Sequence, residues 1–238
     1  TSYLKELHAN NPRFFAMQYE NEPTPDRDAD FQDEWIRLYQ KLPQGKFRVG
    51  IVADPSTGLS TGDPCGIVIV AEHEQTDDWY LLHSESSRYT TDQLCLRVIE
   101  LWKRFRPCDV AVEYNGTQAS VKLALERMRK EHKLAMRVRY PVRESYMGKE
   151  ARIAALAGKF EFGKVFLRPK DTELRSQLRY WPNWPHDDLL DALSFFQVLK
   201  KTRNVGSYTL EDRNRPRPNP TVADIVTGKV KKQWHGWL

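Results

Sequence analysis

Cysteine is scarce in this sequence, with only Cys65, Cys95 and Cys108 among 238 residues. The three are odd in number, far apart and without a C-x-x-C pair, so they fit neither a disulfide framework nor a cysteine-based zinc site. This pattern is typical of a reducing compartment. Stability must then come from an apolar core, and a chain of this length can bury one.

Long apolar runs are also missing. No stretch approaches the roughly 20 apolar residues that a membrane-spanning helix needs, and no apolar segment opens the chain. The G-x-x-x-x-G-K-[ST] motif of P-loop motors does not occur either, because no Gly-Lys pair is followed by Ser or Thr. The sequence predicts no membrane partner and no ATPase motor in these residues, and its first residue, Thr, suggests a longer parent protein.

Neither sign of charge dominates the composition. Lys and Arg number 37 against 32 Asp and Glu, which gives a formal net charge of +5. A surplus of this size is compatible with a polyanionic partner but does not require one. The class of partner therefore has to be inferred from particular residues.

The distribution of proline and of apolar residues divides the chain into three regions. Residues 1–45 are polar, interrupted by prolines and contain one helical candidate at 31–40, which is typical of a linker or arm. Residues 46–202 alternate between strand and helix patterns. Residues 203–238 are basic and contain several prolines, so we expect a tail with little core of its own.

The middle region predicts an α/β fold. Its first three strand patterns, FRVGIVADPS, CGIVIVAEH and WYLLHSES, follow one another without a helix and indicate an antiparallel meander. Helix and strand patterns then alternate, with a hairpin-like FEFGKVFLRP before the last two helices. This order predicts a mixed sheet, with the meander joined to parallel strands and flanked by helices.

Acidic residues follow two of these strands and open the last helix. Asp54 ends the first strand, and Glu113 lies at the end of DVAVEYN. If these two strands are parallel neighbours, their carboxyl ends meet at one edge of the sheet, where open α/β sheets bind ligands. Several carboxylates without a Cys or a His pair form the kind of site that Mg²⁺ and similar hard cations prefer.

The last helix begins with the acidic stretch HDDLLDAL at residues 186–193. Asp191 can share a helix face with Asp187 or with Asp188, whereas adjacent Asp187 and Asp188 diverge by about 100°. A structural interpretation also remains open, in which Asp187 or His186 caps the helix and the acids complement its dipole. Asp54 could likewise belong to a D-P-S-T-G turn.

Four segments in the same order carry a resemblance to a known family. IVADPSTG, VAVEYNGTQ, GKEARI and HDDLLDAL resemble the nuclease domain of the large terminase subunit of tailed double-stranded DNA bacteriophages, which has a ribonuclease H-like fold. The upstream NPRFFAMQYENEP and DFQDEW resemble the segment that joins the terminase ATPase to its nuclease. No single motif is specific, but their order and the strand positions of the first two support the resemblance.

The resemblance implies a metal-dependent endonuclease that cuts concatemeric viral double-stranded DNA during genome packaging, with low sequence specificity. It implies two Mg²⁺ or Mn²⁺ ions that promote phosphodiester hydrolysis. Asp54 and Glu113 match the first two acids of the family, and Asp187, Asp188 and Asp191 together match the third group. The resemblance does not decide among these three; we favour Asp188 as the catalytic residue, with Asp191 on the same face and Asp187 as a cap or a further metal ligand. The implied partners are the terminase ATPase domain, the small terminase subunit and the portal, in the cytoplasm of the infected bacterial host.

Three basic residues are candidates for contacts with the DNA backbone. Lys149 and Arg152 lie three residues apart on the predicted GKEARI helix, and Arg143 precedes it. These charges could meet phosphates that approach the acids. The alternative is that they are solvated charges on a helix surface.

Other classes of function remain open at this stage. A junction resolvase or transposase-like enzyme would use the same fold, and cleavage of unbranched duplex DNA would separate it from a terminase nuclease. A packaging or docking module without catalysis would use its acids structurally and its basic tail as the binding surface. A two-carboxylate glycosidase would need an open aromatic groove and no metal.

Overall fold

The chain folds as a mixed β-sheet with helices on both faces, as the sequence predicts. The computed structural model describes residues 30–55, 64–114, 119–141, 149–184, 186–199 and 208–209. Within them no helix is long and apolar enough to cross a membrane.

The sheet contains eight strands in the described residues, and its spatial order is β1-β7-β4-β3-β2-β5-β6, with β8 pairing with β2. Strands β2, β3 and β4 form the antiparallel meander, and β5 pairs in parallel with β2 on one side and with β6 on the other. On the far side β7 pairs in parallel with both β4 and β1. The strands are β1 (Arg37–Leu38), β2 (Lys46–Asp54), β3 (Cys65–His73), β4 (Trp79–Ser87), β5 (Asp109–Val112), β6 (Val138–Arg139), β7 (Val165–Leu167) and β8 (Tyr208–Thr209).

Five α-helices cover the two faces. Helix α1 is opened by a capping box between Thr90 and Gln93, and the left-handed backbone of Arg106 ends it. The helices α1 and α2 pack on one face of the sheet, whereas α3, α4 and α5 pack on the other. They are α1 (Thr91–Phe105), α2 (Ala119–Glu131), α3 (Lys149–Glu161), α4 (Thr172–Tyr180) and α5 (Asp188–Leu199).

Two local predictions were wrong. The helix expected at residues 31–40 is a short 3-10 turn, Asp33–Trp35, followed by strand β1, because Phe31 is drawn into the core and β1 pairs with β7. The hairpin expected at FEFGKVFLRP is the end of α3, a turn and then β7. Gly163 makes that turn with φ of 64°, and a Cβ there would lie 2.1 Å from the Arg37 guanidinium carbon.

Helix α5 packs on the two central strands, β2 and β3, and it is apolar on almost every side. Leu189, Leu190, Leu193 and Phe196 are all at most 2% exposed. Strand β3, on which α5 packs, is buried along its whole length because helices cover both faces of the sheet. The sheet therefore fixes the position of α5 by extensive apolar contact.

Residues that precede position 46 also pack on the sheet. Phe31 is 2% exposed and meets Phe160 edge to face, with ring centroids 5.4 Å apart. Tyr39 donates a hydrogen bond of 2.6 Å to the carbonyl oxygen of Leu81. The predicted boundary at 45/46 thus lies inside a stretch that contacts the core, and β8 lies within the stretch predicted as a tail.

Truncation of Phe31 tests whether this segment folds with the sheet. We expect Phe31→Ala to lower the free energy of unfolding by about 3 to 5 kcal/mol, the usual cost of removing a buried aromatic ring. Urea unfolding followed by tryptophan fluorescence measures the change. Phe162→Ala is the matched control, because Phe162 is 77% exposed and its loss should cost less than about 0.5 kcal/mol. Equal effects would show that Phe31 does not belong to the folding unit.

A partly buried ion-pair network joins α1 to β4. Glu85 on β4 accepts hydrogen bonds from Arg97 Nε at 2.7 Å and from Tyr89 at 3.1 Å, and its other oxygen lies 2.7 Å from His83 Nε2. Burial by itself would raise the pKa of Glu85, but the hydrogen bonds and charges of Arg97 and His83 outweigh it and hold the pKa at about 2.

This network makes stability depend on pH at the acid end. Because the pKa of Glu85 falls from 4.5 to about 2 on folding, the ionised carboxylate stabilises the fold above about pH 4.5, and this contribution is lost as pH falls toward 2. We expect Glu85→Gln to remove up to about 3 kcal/mol of that pH dependence. Urea unfolding at pH 3 to 6 measures it, with Glu131→Gln on α2, 57% exposed, as the control. A pH dependence that survives in Glu85→Gln would place its origin elsewhere.

Candidate metal centre

The predicted acids meet at one edge of the sheet. Strands β2 and β5 are parallel neighbours, so their carboxyl ends lie together. Side chains alternate along a strand, and Val52 and Ala111 both belong to the core under α5. Asp54 and Glu113, two residues further along each strand, therefore face α5 as well.

Three carboxylates form a compact cluster at this edge. One carboxylate oxygen each from Asp54, Glu113 and Asp191 lies within 4.8 Å of the other two. Glu113 is 2% exposed and Asp191 is 1% exposed, while Asp54 is half-buried and opens the cluster toward solvent. Ionised carboxylates this close repel one another, and a hard divalent cation bound by oxygen ligands would relieve the repulsion. The donor set thus fits Mg²⁺ or Mn²⁺.

A glycine on β3 determines where α5 can begin. Gly66 lies directly opposite Asp54 on β2 and directly opposite Ser86 on β4, so the three form one row across the sheet. A Cβ on Gly66 would lie 2.2 Å from the Asp188 carbonyl oxygen. The first turn of α5 therefore rests on bare backbone in the middle of this row.

The start of α5 is capped by a residue that the sequence analysis did not identify. The amides of Leu189 and Leu190 donate to Gln177 Oε1 at 3.0 and 2.9 Å. Gln177 is fully buried on α4 and accepts from amides at the start of the helix, a role that the structural alternative gave to Asp187 or His186. No local pattern marks it, because it precedes the helix start by eleven residues and reaches it only through the packing of α4 on α5.

Two basic residues of α3 pair with acids at the start of α5. Arg152 Nη2 lies 2.5 Å from Asp191 Oδ1, and Arg152 Nε lies 3.3 Å from the Ser194 hydroxyl oxygen. Lys149 Nζ lies 2.7 Å from Asp187 Oδ1 and 3.6 Å from Asp191 Oδ2. Arg152 is only 4% exposed, and its guanidinium pairs with and orients Asp191; the phosphate contact predicted for it stays a prediction. Lys149 is 33% exposed, and a phosphate contact by it stays a prediction.

The remaining predicted residues lie outside the three-carboxylate cluster. Asp187 pairs with Lys149, and its carbonyl oxygen accepts the amide of Asp191 at 2.8 Å. Asp188 is 8% exposed and faces Ser86 on the β4 side. The structure thus brings Asp191, and not Asp188, beside Asp54 and Glu113. The roles assigned to Asp187 and Asp188 stay predictions, and Arg143 lies outside the described residues.

Replacement of Gly66 tests whether the contact between Gly66 and the first turn of α5 positions the three-carboxylate cluster. Because an added methyl would collide with backbone atoms that cannot rotate away, we expect Gly66→Ala to shift α5 and weaken Mn²⁺ binding by about 10- to 100-fold. Isothermal titration calorimetry measures the affinity. Gly158→Ala on α3 is the matched control, since nothing lies within 4 Å of its added Cβ. Undiminished Mn²⁺ binding by Gly66→Ala would contradict this view.

The fold is shared with solved terminase nuclease structures. The nuclease domain of the phage P22 large terminase is 15% identical, with a TM-score of 0.57, over 81% of this chain and 100% of that one. The large terminase nuclease of thermophilic phage G20c with bound magnesium is 16% identical, with a TM-score of 0.52, over 71% and 96%.

A third solved structure extends the likeness beyond phages. The Mn-soaked, inhibitor-bound terminase nuclease domain of human cytomegalovirus is 12% identical, with a TM-score of 0.51, over 72% of this chain and 95% of that one. In sequence, the chain matches no protein-family model and no curated protein. The likeness to these solved structures confirms the predicted ribonuclease H-like fold, which terminase large-subunit nuclease domains share.

Proposed function

We propose that this chain is a divalent-metal-dependent endonuclease that hydrolyses phosphodiester bonds of double-stranded DNA. The observation that carries the proposal is the cluster of Asp54, Glu113 and Asp191, three carboxylates within 4.8 Å at one edge of a ribonuclease H-like sheet. Buried acids in such a cleft are typical of functional sites. The chain needs no P-loop for this reaction.

Each residue around the cluster has a distinct task in this proposal. Asp54, Glu113 and Asp191 would hold Mg²⁺ or Mn²⁺, and the bound cation would act as a Lewis acid toward the scissile phosphate. Arg152 holds one oxygen of Asp191 and so fixes the direction of the other. Lys149, partly exposed beside the cluster, offers a positive charge to the approaching phosphate backbone.

The all-oxygen composition of the cluster also supports the choice of metal. Carboxylates favour Mg²⁺ and Mn²⁺, whereas Zn²⁺ prefers sites that include His or Cys. We also propose that two such ions take part in the reaction, as the family resemblance implies.

The biological setting that we propose is viral genome packaging. Its support is the fold, which the chain shares with terminase nuclease domains from two phages and from human cytomegalovirus. In that setting the chain would cut concatemeric DNA with low sequence preference, in the cytoplasm of an infected bacterium. Its partners would be the terminase ATPase domain, the small terminase subunit and the portal.

Isosteric replacement of the three carboxylates tests the proposed chemistry. We expect Asp54→Asn, Glu113→Gln and Asp191→Asn each to lower the rate of plasmid cleavage more than about 100-fold, beyond the effect typical of residues that only support metal ligands. Nicking and linearisation of supercoiled plasmid in Mg²⁺ or Mn²⁺ measure the rate. Asp92→Asn is the matched control, because Asp92 is 65% exposed on α1.

The outcomes separate the proposed function from its competitors. Cleavage that survives in EDTA, or in all three variants, would contradict a metal-dependent reaction at this cluster. Cleavage of branched junctions without cleavage of plain duplex would indicate a resolvase. Folded wild-type protein that binds no Mn²⁺ and cuts no DNA would favour a docking module.

A further inference from the structure

The carboxyl end of β5 presents side chains to both faces of the sheet. Glu113 faces α5 within the three-carboxylate cluster, and side chains alternate along a strand, so Tyr114 faces the other side. Val110 and Val112, on the same side of β5 as Tyr114, belong to the core under α1 and α2. Tyr114 therefore lies at the same edge of the sheet as the three carboxylates, on its opposite face.

A lysine of α2 lies against two tyrosine rings at this edge. Lys122 Nζ lies 5.1 Å from the ring centroid of Tyr114 and 5.2 Å from the ring centroid of Tyr140. Tyr140 directly follows β6, the parallel neighbour of β5. Attraction to two aromatic rings restricts where the ammonium can lie, while the side chain of Lys122 stays exposed. A positive charge is thus held at the ends of β5 and β6, in contact with solvent.

Hydrogen bonds fix the two rings in turn. The Tyr114 amide donates to the Pro141 carbonyl oxygen at 2.9 Å, which ties the ends of the two strands together. The Tyr140 hydroxyl donates to Glu126 Oε1 at 2.9 Å. Burial raises the pKa of Tyr140, and the hydrogen bond to Glu126 raises it further, so the hydroxyl stays a donor. The lysine therefore rests on a support that is already ordered.

The acid one turn along α2 is occupied by other groups. Glu126 Oε2 accepts from Arg129 Nη2 at 2.6 Å, and Glu126 Oε1 accepts from Tyr140. Lys122 therefore does not form the i,i+4 ion pair that its spacing from Glu126 would allow. In the described part of the chain no carboxylate pairs with Lys122. Its charge is available to an anion from outside the fold.

We propose that Lys122, held between Tyr114 and Tyr140, binds a phosphate of the DNA backbone other than the scissile one and so positions the duplex across this edge of the sheet. The proposal rests on the proposed nuclease function, and it adds a second contact surface on the α2 face. An ammonium contacts a phosphate as a point charge and reads no base, which agrees with a low sequence preference.

The position of Lys122 favours DNA over an acidic protein as the partner. A duplex carries one negative charge per roughly 1.7 Å of its axis. A duplex with its scissile phosphate at the three-carboxylate cluster therefore brings further phosphates to both faces of the same edge. Lys149 lies on the α3 face and Lys122 on the α2 face, so the two lysines offer positive charge on opposite sides of the cluster.

Duplex binding by the full 238-residue chain tests the contact. Fluorescence anisotropy in Ca²⁺ measures the affinity for a short labelled duplex between about 50 and 200 mM salt. We expect Lys122→Gln to lower the affinity about five- to tenfold near 0.1 M salt and to reduce the salt slope by about 0.9, the contribution of one phosphate contact. Lys122→Arg should keep both values, because it keeps the charge. In plasmid cleavage, Lys122→Gln should raise KM with kcat unchanged.

The matched control is Lys130→Gln, which removes the same charge from the last turn of the same helix. Lys130 lies about 12 Å further along the axis of α2 than Lys122, away from the edge that carries the cluster. Its replacement should leave the affinity, the salt slope and KM close to the wild-type values. The melting temperature of every variant verifies that it is folded, and none should change, since both lysines are exposed.

The outcomes separate this contact from the proposed nuclease. Wild-type affinity, salt slope and KM in Lys122→Gln would overturn the contact and leave the nuclease standing. An equal loss in Lys130→Gln, or a folded Lys122→Arg that binds as weakly as Lys122→Gln, would do the same. Binding that depends on Lys122 in a wild type that cuts no DNA in Mg²⁺ or Mn²⁺ would support the contact and overturn the nuclease. A wild type that does not bind duplex DNA would overturn both.

Discussion

The contact between the first turn of α5 and Gly66 is the constraint on which the rest of the site depends. The Asp188 carbonyl oxygen occupies the space that a Cβ at Gly66 would fill, so the first turn of α5 lies directly on β3, and the helix packs mainly on β2 and β3. The leucines and phenylalanines of α5 then pack into the sheet and fix its rotation. With both position and rotation fixed, Asp191 points toward Asp54 and Glu113, and Asp188 points toward Ser86.

This arrangement concentrates negative charge at the end of an apolar helix, and neighbouring elements compensate it in different ways. Arg152 and Lys149 of α3 neutralise part of the charge directly. Gln177 of α4 satisfies the backbone amides at the start of α5, which leaves the acidic side chains available for other tasks. The three carboxylates of the cluster still lie within 4.8 Å of one another, and a cation bound there would relieve their mutual repulsion. Such local cost, tolerated by a well-packed scaffold, is typical of functional sites.

The sequence predicted the sheet, its meander and the positions of Asp54 and Glu113 because these depend on local patterns. A buried strand that runs into an acid is visible in a few residues, and parallel neighbours bring their ends together. The roles of Lys149 and Arg152 could not be assigned in this way, since a basic helix residue looks the same whether it faces solvent or a buried carboxylate. Phe31 was assigned to a linker for a related reason, because its partner Phe160 lies 129 positions away and only the packed structure joins them.

The aspartates at 187, 188 and 191 show most clearly which feature of the site the sequence does not determine. Helical spacing allows Asp191 to share a face with either of the other two, and the sequence by itself determined only that acids open an apolar helix near two acidic strand ends. The tertiary structure decided which acid joins the cluster. The physical reason is that the rotation of α5 is set by apolar contacts with β2 and β3 and by the single close approach at Gly66, and these are long-range packing constraints that no window of the sequence contains.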